Sequence, residues 1–130
     1  MKRLLFMPLM AATMLIAGVA SAQDKKPASP PATVSQKIAS GATITINYSQ
    51  PSVKGRTIGK DLEPLPGKVW RTGANEATVF ETDKDITVEG MALPAGKYGL
   101  FTILNDKEWT IILNKTWRQW GAFKYQEGDD

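Results

Sequence analysis

The run GKVWRTGANEAT, Gly67 to Thr78, brings an indole, a guanidinium, an amide, a carboxylate and two glycines together over a short length of chain. Arg71 carries a planar fork of donors that stays charged at any relevant pH and suits a carboxylate, a phosphate or a pair of backbone carbonyls. Trp70 can anchor one end of the run in a core. Gly73 permits a backbone conformation closed to other residues and turns the chain sharply. Asn75 and Glu76, just past that turn, either orient the guanidinium and share a ligand with it, or close the turn through an Arg71–Glu76 ion pair. The residue types alone leave both open.

A second cluster lies in NKTWRQWG, where Trp117 and Trp120 flank Arg118 and Gln119. Two exposed indoles beside a guanidinium suit stacking on a sugar ring or a planar ligand. The alternative, favoured by the apolar area an indole buries, is that both rings cover one open end of the domain. The candidate ligand-binding set is therefore Trp70, Arg71, Asn75, Glu76, Trp117, Arg118 and Trp120.

Other chemistries are excluded or weak. The chain has no histidine and no cysteine, which removes Ser-His-Asp and Cys-His catalysis and every thiolate or imidazole metal site. It has no phosphate-cradling loop of the Walker type and no dinucleotide fingerprint. Glu76 and Glu81 are the best-placed carboxylate pair for glycoside hydrolysis, which needs a separation of about 5 to 9 Å. Their odd spacing puts them on opposite faces of a regular strand, so the pair works only if Glu76 lies in the preceding turn. Asp83 and Asp85, with Asn105, Asp106 and Glu108, lack the spacing of a dedicated calcium loop and read as polar hairpin chemistry. No catalytic residue, metal or cofactor is called for.

These groups must be held by strands. Ile44, Ile46 and Tyr48 alternate with Thr43, Thr45 and Asn47, the pattern of a half-buried strand, and TVSQKI pairs with that strand through a turn at Ser40-Gly41. ATVFET reads as a strand, DKD as a turn and ITVEG as its continuation. KYGLFTIL and WTIILN form a hairpin around NDKE, with both faces partly apolar, which predicts central strands covered on both sides and Trp109 in the core. The segment from Gln50 to Lys68 holds Pro51, Gly55, Gly59, Pro64, Pro66 and Gly67 and should be irregular. A loop of that length is functional or hides short strands. No window supports a long amphipathic helix in the mature chain. Short strands between turn signals about every eight to twelve residues predict an antiparallel β-sandwich, jelly-roll or immunoglobulin-like.

The opening residues place Lys2 and Arg3 before an apolar run from Leu4 to Val19 and the small triplet Ala20-Ser21-Ala22. This is a secretory signal peptide over residues 1–22, a helix removed by cleavage before Gln23, which leaves no integral membrane segment. Residues 23–31 form a proline-rich linker and residues 32–130 the domain. Without Lys2 and Arg3 the 16 basic side chains fall to 14, against 13 acidic ones. That near-neutral balance argues against nucleic acid as a partner.

Taken in order, SPPATVSQKI, ITINYSQPSVKGR, GKVWRTGANEAT, LPAGKYGLFTI, EWTIILNK and QWGAFKY resemble the domain-of-unknown-function family numbered 2911, secreted proteins known mainly from Bacteroidetes-type bacteria. The resemblance runs from about Ser29 to Tyr125 and implies no reaction and no catalytic residues. It implies further strands after the final aromatic segment, and so a domain truncated at its C-terminus. The expected function is a periplasmic or secreted, non-catalytic module that binds a small molecule, a glycan or an envelope protein. A carboxylate-based carbohydrate hydrolase is the alternative.

Overall fold

The computed structural model describes residues 28–130; the expected signal-peptide helix and most of the expected linker lie outside them. The described chain is all-β and antiparallel. Its strands are β1 (Pro31–Lys37), β2 (Thr43–Ser49), β3 (Val69–Trp70), β4 (Thr78–Thr82), β5 (Ile86–Val88), β6 (Met91–Leu93), β7 (Gly96–Leu104) and β8 (Trp109–Asn114), with a 3-10 turn at Glu127–Asp129. Among the described residues no helix is long and apolar enough to cross a membrane.

Six strands make one sheet and β5–β6 a separate hairpin. That hairpin turns at Glu89 and Gly90, whose φ values of 47° and 80° suit the tight two-residue turn that matches strand twist. In the main sheet β7 is the hub. It pairs with β8 along one edge, and along the other with β4 and, farther on, with β3. Trp70 faces Thr102 and Thr78 faces Leu100, so seven residues lie between the pairs on one side and one, Phe101, on the other. β3 and β4 are therefore one strand interrupted by an excursion, and that excursion is the RTGANEA run, Arg71 to Ala77. The hydrogen bond from the Thr78 amide to the Arg71 carbonyl (3.2 Å) closes it.

Period two decides what each face presents. Val34, Ile46, Phe80 and Tyr98 stand in one cross-strand row. The opposite face is polar over β1 and β2, where Thr33 donates to Asn47 Oδ1 at 2.7 Å and the Ser35 and Thr45 hydroxyls meet at 3.1 Å. Over β7 and β8 that same face becomes the core. Phe101 is fully buried and packs with Ile112 and Ala77, with Val69, Ile103, Ala122 and Tyr125 closing around them.

The hairpin of β7 and β8 forms as expected, joined by the Asn105 amide to the Glu108 carbonyl at 3.0 Å. Its expected burial on both faces does not hold for β8. This strand is an edge, and Trp109 and Ile111 are 48% and 62% exposed. Trp109 is not a core residue. Of the two hairpin strands it is β7, with neighbours on both edges, that has the central position the apolar pattern implied.

The C-terminal segment covers the core through Tyr125, whose ring lies 5.3 Å from that of Phe101 and whose hydroxyl donates to Asp130 Oδ2 at 2.8 Å. Burial first, then that hydrogen bond and the charges of Asp130 and Glu127, push the phenol from 10.0 up to about 12. The folded state thus holds this proton more tightly than the unfolded chain. The resulting stabilisation is fully present below pH 10 and is lost as pH rises through about 12. Alkaline titration of the phenolate absorbance should show Tyr125 ionising late, near pH 12, and Asp130→Asn should bring it earlier.

Candidate functional site

The excursion from Arg71 to Ala77 is held at three places. The Ala74 amide donates to the Ser49 carbonyl at the end of β2 (3.2 Å), the Ala77 amide to the Gln119 carbonyl (2.9 Å), and the Gly121 amide to the Asn75 carbonyl (3.1 Å). The last two bracket a backbone bridge between Glu76 and Trp120, which brings one of the late tryptophans to the motif. Trp70 turns its indole under its own loop, with Nε1 donating to the Gly73 carbonyl at 3.2 Å.

Gly73 is required for a reason other than the one its type suggested. Its φ is not in the left-handed region; a side chain there would meet Thr78 Oγ1 at 2.8 Å and the Ser49 carbonyl at 3.2 Å. The left-handed positions are Thr72 (φ 56°) and Asn75 (φ 59°). A β-branched residue held there stores strain of about 1–3 kcal/mol. Thr72 is fixed by the contact of its hydroxyl with that of Thr102 (3.1 Å) and by the Thr78 hydroxyl donating to its carbonyl (3.0 Å).

The excursion forms one wall of a cleft of about 170 Å³ that Trp70, Arg71, Asn75 and Trp120 all line. The facing wall comes from the irregular loop after β2, through Arg56, Leu62 and Glu63. Arg71 contacts Glu63, not Glu76, with its Nη1 3.2 Å from Glu63 Oε2. Its Nε is buried and has no hydrogen-bond partner among the described residues. Asn75 is used structurally, donating through Nδ2 to the Ser29 carbonyl at 3.3 Å. Arg56 folds back on its own turn, with Nε to the Val53 carbonyl at 3.1 Å and Nη2 to the Ser52 carbonyl at 2.6 Å, which fixes it at the rim.

The other candidates do not join this cleft. Glu76 is exposed and does not line it, and Glu81 lies on β4 with Lys97 Nζ 3.9 Å from its carboxylate. Neither carboxylate of the hydrolase pair therefore reaches the cleft. Trp117 and Arg118 form a separate stack, the guanidinium carbon 4.9 Å from the ring centroid of Trp117, with Lys97 Nζ at 5.3 Å. Asp83 and Asp85 accept from the amides of Thr43 (2.7 Å) and Ala95 (2.8 Å) and serve the turns.

The sequence motif missed Arg56 and Glu63. The one signal that pointed to them is the length of the loop that carries both. A loop this long and irregular inside a small domain calls for a use.

A family model described as Protein of unknown function (DUF2911) matches residues 29–130. No curated protein and no solved structure matches the chain.

Proposed function

Because the chain belongs to the DUF2911 family, whose description carries no reaction, we propose its function from the cleft: a non-catalytic binding module whose ligand sits against Arg71. The observation that carries this reading is the Arg71 guanidinium, partly exposed and lining a cleft with Trp70 and Trp120, where its ion-pair partner among the described residues is the more exposed Glu63. A guanidinium tip that is partly enclosed and still reachable makes charge-assisted hydrogen bonds to a ligand acceptor. Trp70 and Trp120 supply contact area for a small molecule.

The module is exported, to the periplasm or beyond the cell; the apolar run from Leu4 and the Ala20-Ser21-Ala22 triplet support that reading. Its architecture is a β-sandwich, supported by apolar residues on both faces of the main sheet: Phe101 and Ile112 on one, Ile46, Phe80 and Leu100 on the other.

A thermal-shift screen of small metabolites and short glycans tests the binding reading. At least one compound should raise the melting temperature of the wild-type protein, by the equivalent of about 2.7 kcal/mol at a hundredfold excess over Kd. The same compound should leave Arg71→Lys unshifted, since an ammonium cannot replace a planar fork. Equal shifts in both proteins would place the ligand elsewhere.

A further inference from the structure

We infer that the ligand of this cleft is a small oxyanion, a carboxylate or a phosphate, and that Glu63 is a tethered stand-in for it, closing the site until the anion displaces its side chain. The inference rests on the reading of the cleft as a binding site and adds the ligand's chemistry and the device that guards it.

Charge is the first ground. The charged side chains lining the cleft are Arg56, Arg71 and Glu63, and Lys54 joins Arg56 in lining the adjoining depression. With Glu63 engaged on Arg71, the cations at the rim remain in excess and draw anions inward.

The geometry of the ion pair is the second. An arginine binds a carboxylate best through two parallel N–H donors, and the Nη1–Nη2 pair at the tip of the guanidinium is one such fork. The contact from Glu63 is made through one oxygen to Nη1, at 3.2 Å. The internal carboxylate therefore uses part of the donor set. A free oxyanion, with no backbone tether, can settle on both donors of the fork.

Accessibility is the third. The Glu63 side chain is 37% exposed and that of Arg71 24%, so the carboxylate lies toward solvent and the guanidinium toward the protein. Glu63 stands in the irregular loop between β2 and β3, where the isolated bridge of Ile58 with Leu62 is the only strand-type pairing among the described residues of that loop. Its side chain can leave without breaking the main sheet. The size of the cleft, about 170 Å³, lies below the range of roughly 300–1,000 Å³ that holds drug-sized ligands and fits an anion of a few heavy atoms.

The test titrates inorganic phosphate and succinate, at low ionic strength, into the wild-type protein, Glu63→Gln and Glu63→Ala, following tryptophan fluorescence. A stand-in lowers apparent affinity by the fraction of molecules it keeps closed. Both variants should therefore bind one of the anions about tenfold more tightly than wild type. Adding Arg71→Gln to Glu63→Gln should abolish that binding. A response to phosphate alone, or to succinate alone, identifies which oxyanion the cleft prefers. Equal or weaker binding by both Glu63 variants, with melting temperatures unchanged from wild type, overturns the stand-in role while leaving the cleft a binding site. No response of any variant to either anion overturns the oxyanion assignment, and the metabolite and glycan screen reports separately on whether the cleft binds at all.

Discussion

Phe101→Ala should lower the stability of the protein by about 3–5 kcal/mol, the usual loss when a fully buried aromatic side chain is truncated. Phe101 has no exposed surface, and it touches both the sheet, through Ile112 and Ala77, and the covering segment, through Tyr125. Small domains are stable by only about 5–15 kcal/mol, so the variant should unfold at far lower urea than wild type. Ile111→Ala, one strand position away on β8, is the control. Its side chain is 62% exposed, and its loss should change stability by no more than about 0.5 kcal/mol. Comparable urea midpoints for the two variants would show that the core does not centre on Phe101.

Asn114→Ala should cost about 2–4 kcal/mol, through hydrogen bonding with little change in apolar packing. The residue is fully buried at the end of β8. Its Nδ2 donates to the Gln126 carbonyl at 2.9 Å and to Asp130 Oδ1 at 2.7 Å, and its Oδ1 accepts from the Thr116 amide at 2.9 Å. One amide thus ties three chain positions together, and its removal takes an acceptor from the Thr116 amide and a donor from the Asp130 carboxylate. Two further bonds hold the same junction, the Lys115 amide to the Asp129 carbonyl and the Thr116 hydroxyl to Asp129 Oδ2, both at 2.8 Å. They should keep the variant folded but let the C-terminal turn fray. Hydrogen exchange reads this directly: protection around Tyr125 should fall more than protection in β4. Asn114→Asp should be no rescue, because it supplies no Nδ2 donor and faces Asp130 with a like charge.

The strands that face water on one side were legible because alternation reports one buried face and one solvated face. That is why β2 and its partner β1 were placed correctly from Ile44, Ile46 and Tyr48. The same logic misjudged β8. Trp109, Ile111 and Leu113 carry the alternation of a buried face, yet the face covered on β8 is the other one, with Ile112 and Asn114, a choice that periodicity does not encode. The hairpin of β5 and β6 was half-read, since Met91 to Leu93 is too short for a periodic signal. In the site, the motif itself identified Trp70, Arg71 and Asn75 as neighbours, and NKTWRQWG supplied Trp120. Nothing local, however, distinguishes Glu76, five residues from Arg71 along the chain, from Glu63, eight residues away in the other direction. Tertiary folding of the long loop makes that choice, and nothing local says that Trp120 lines the cleft while Trp117 and Arg118 do not.

The interruption between β3 and β4 has a consequence for how this domain can change. Both flanking pieces are clamped to the same edge of β7, so residues added or removed between Trp70 and Thr78 shift the register of neither. Lengthening such a closed loop is cheap, about 0.6 kcal/mol for each doubling. Homologous chains can therefore carry excursions of different length and chemistry on an unaltered ladder. The same seam offers a grafting point, where a foreign recognition loop can be installed with the sheet as an inert frame.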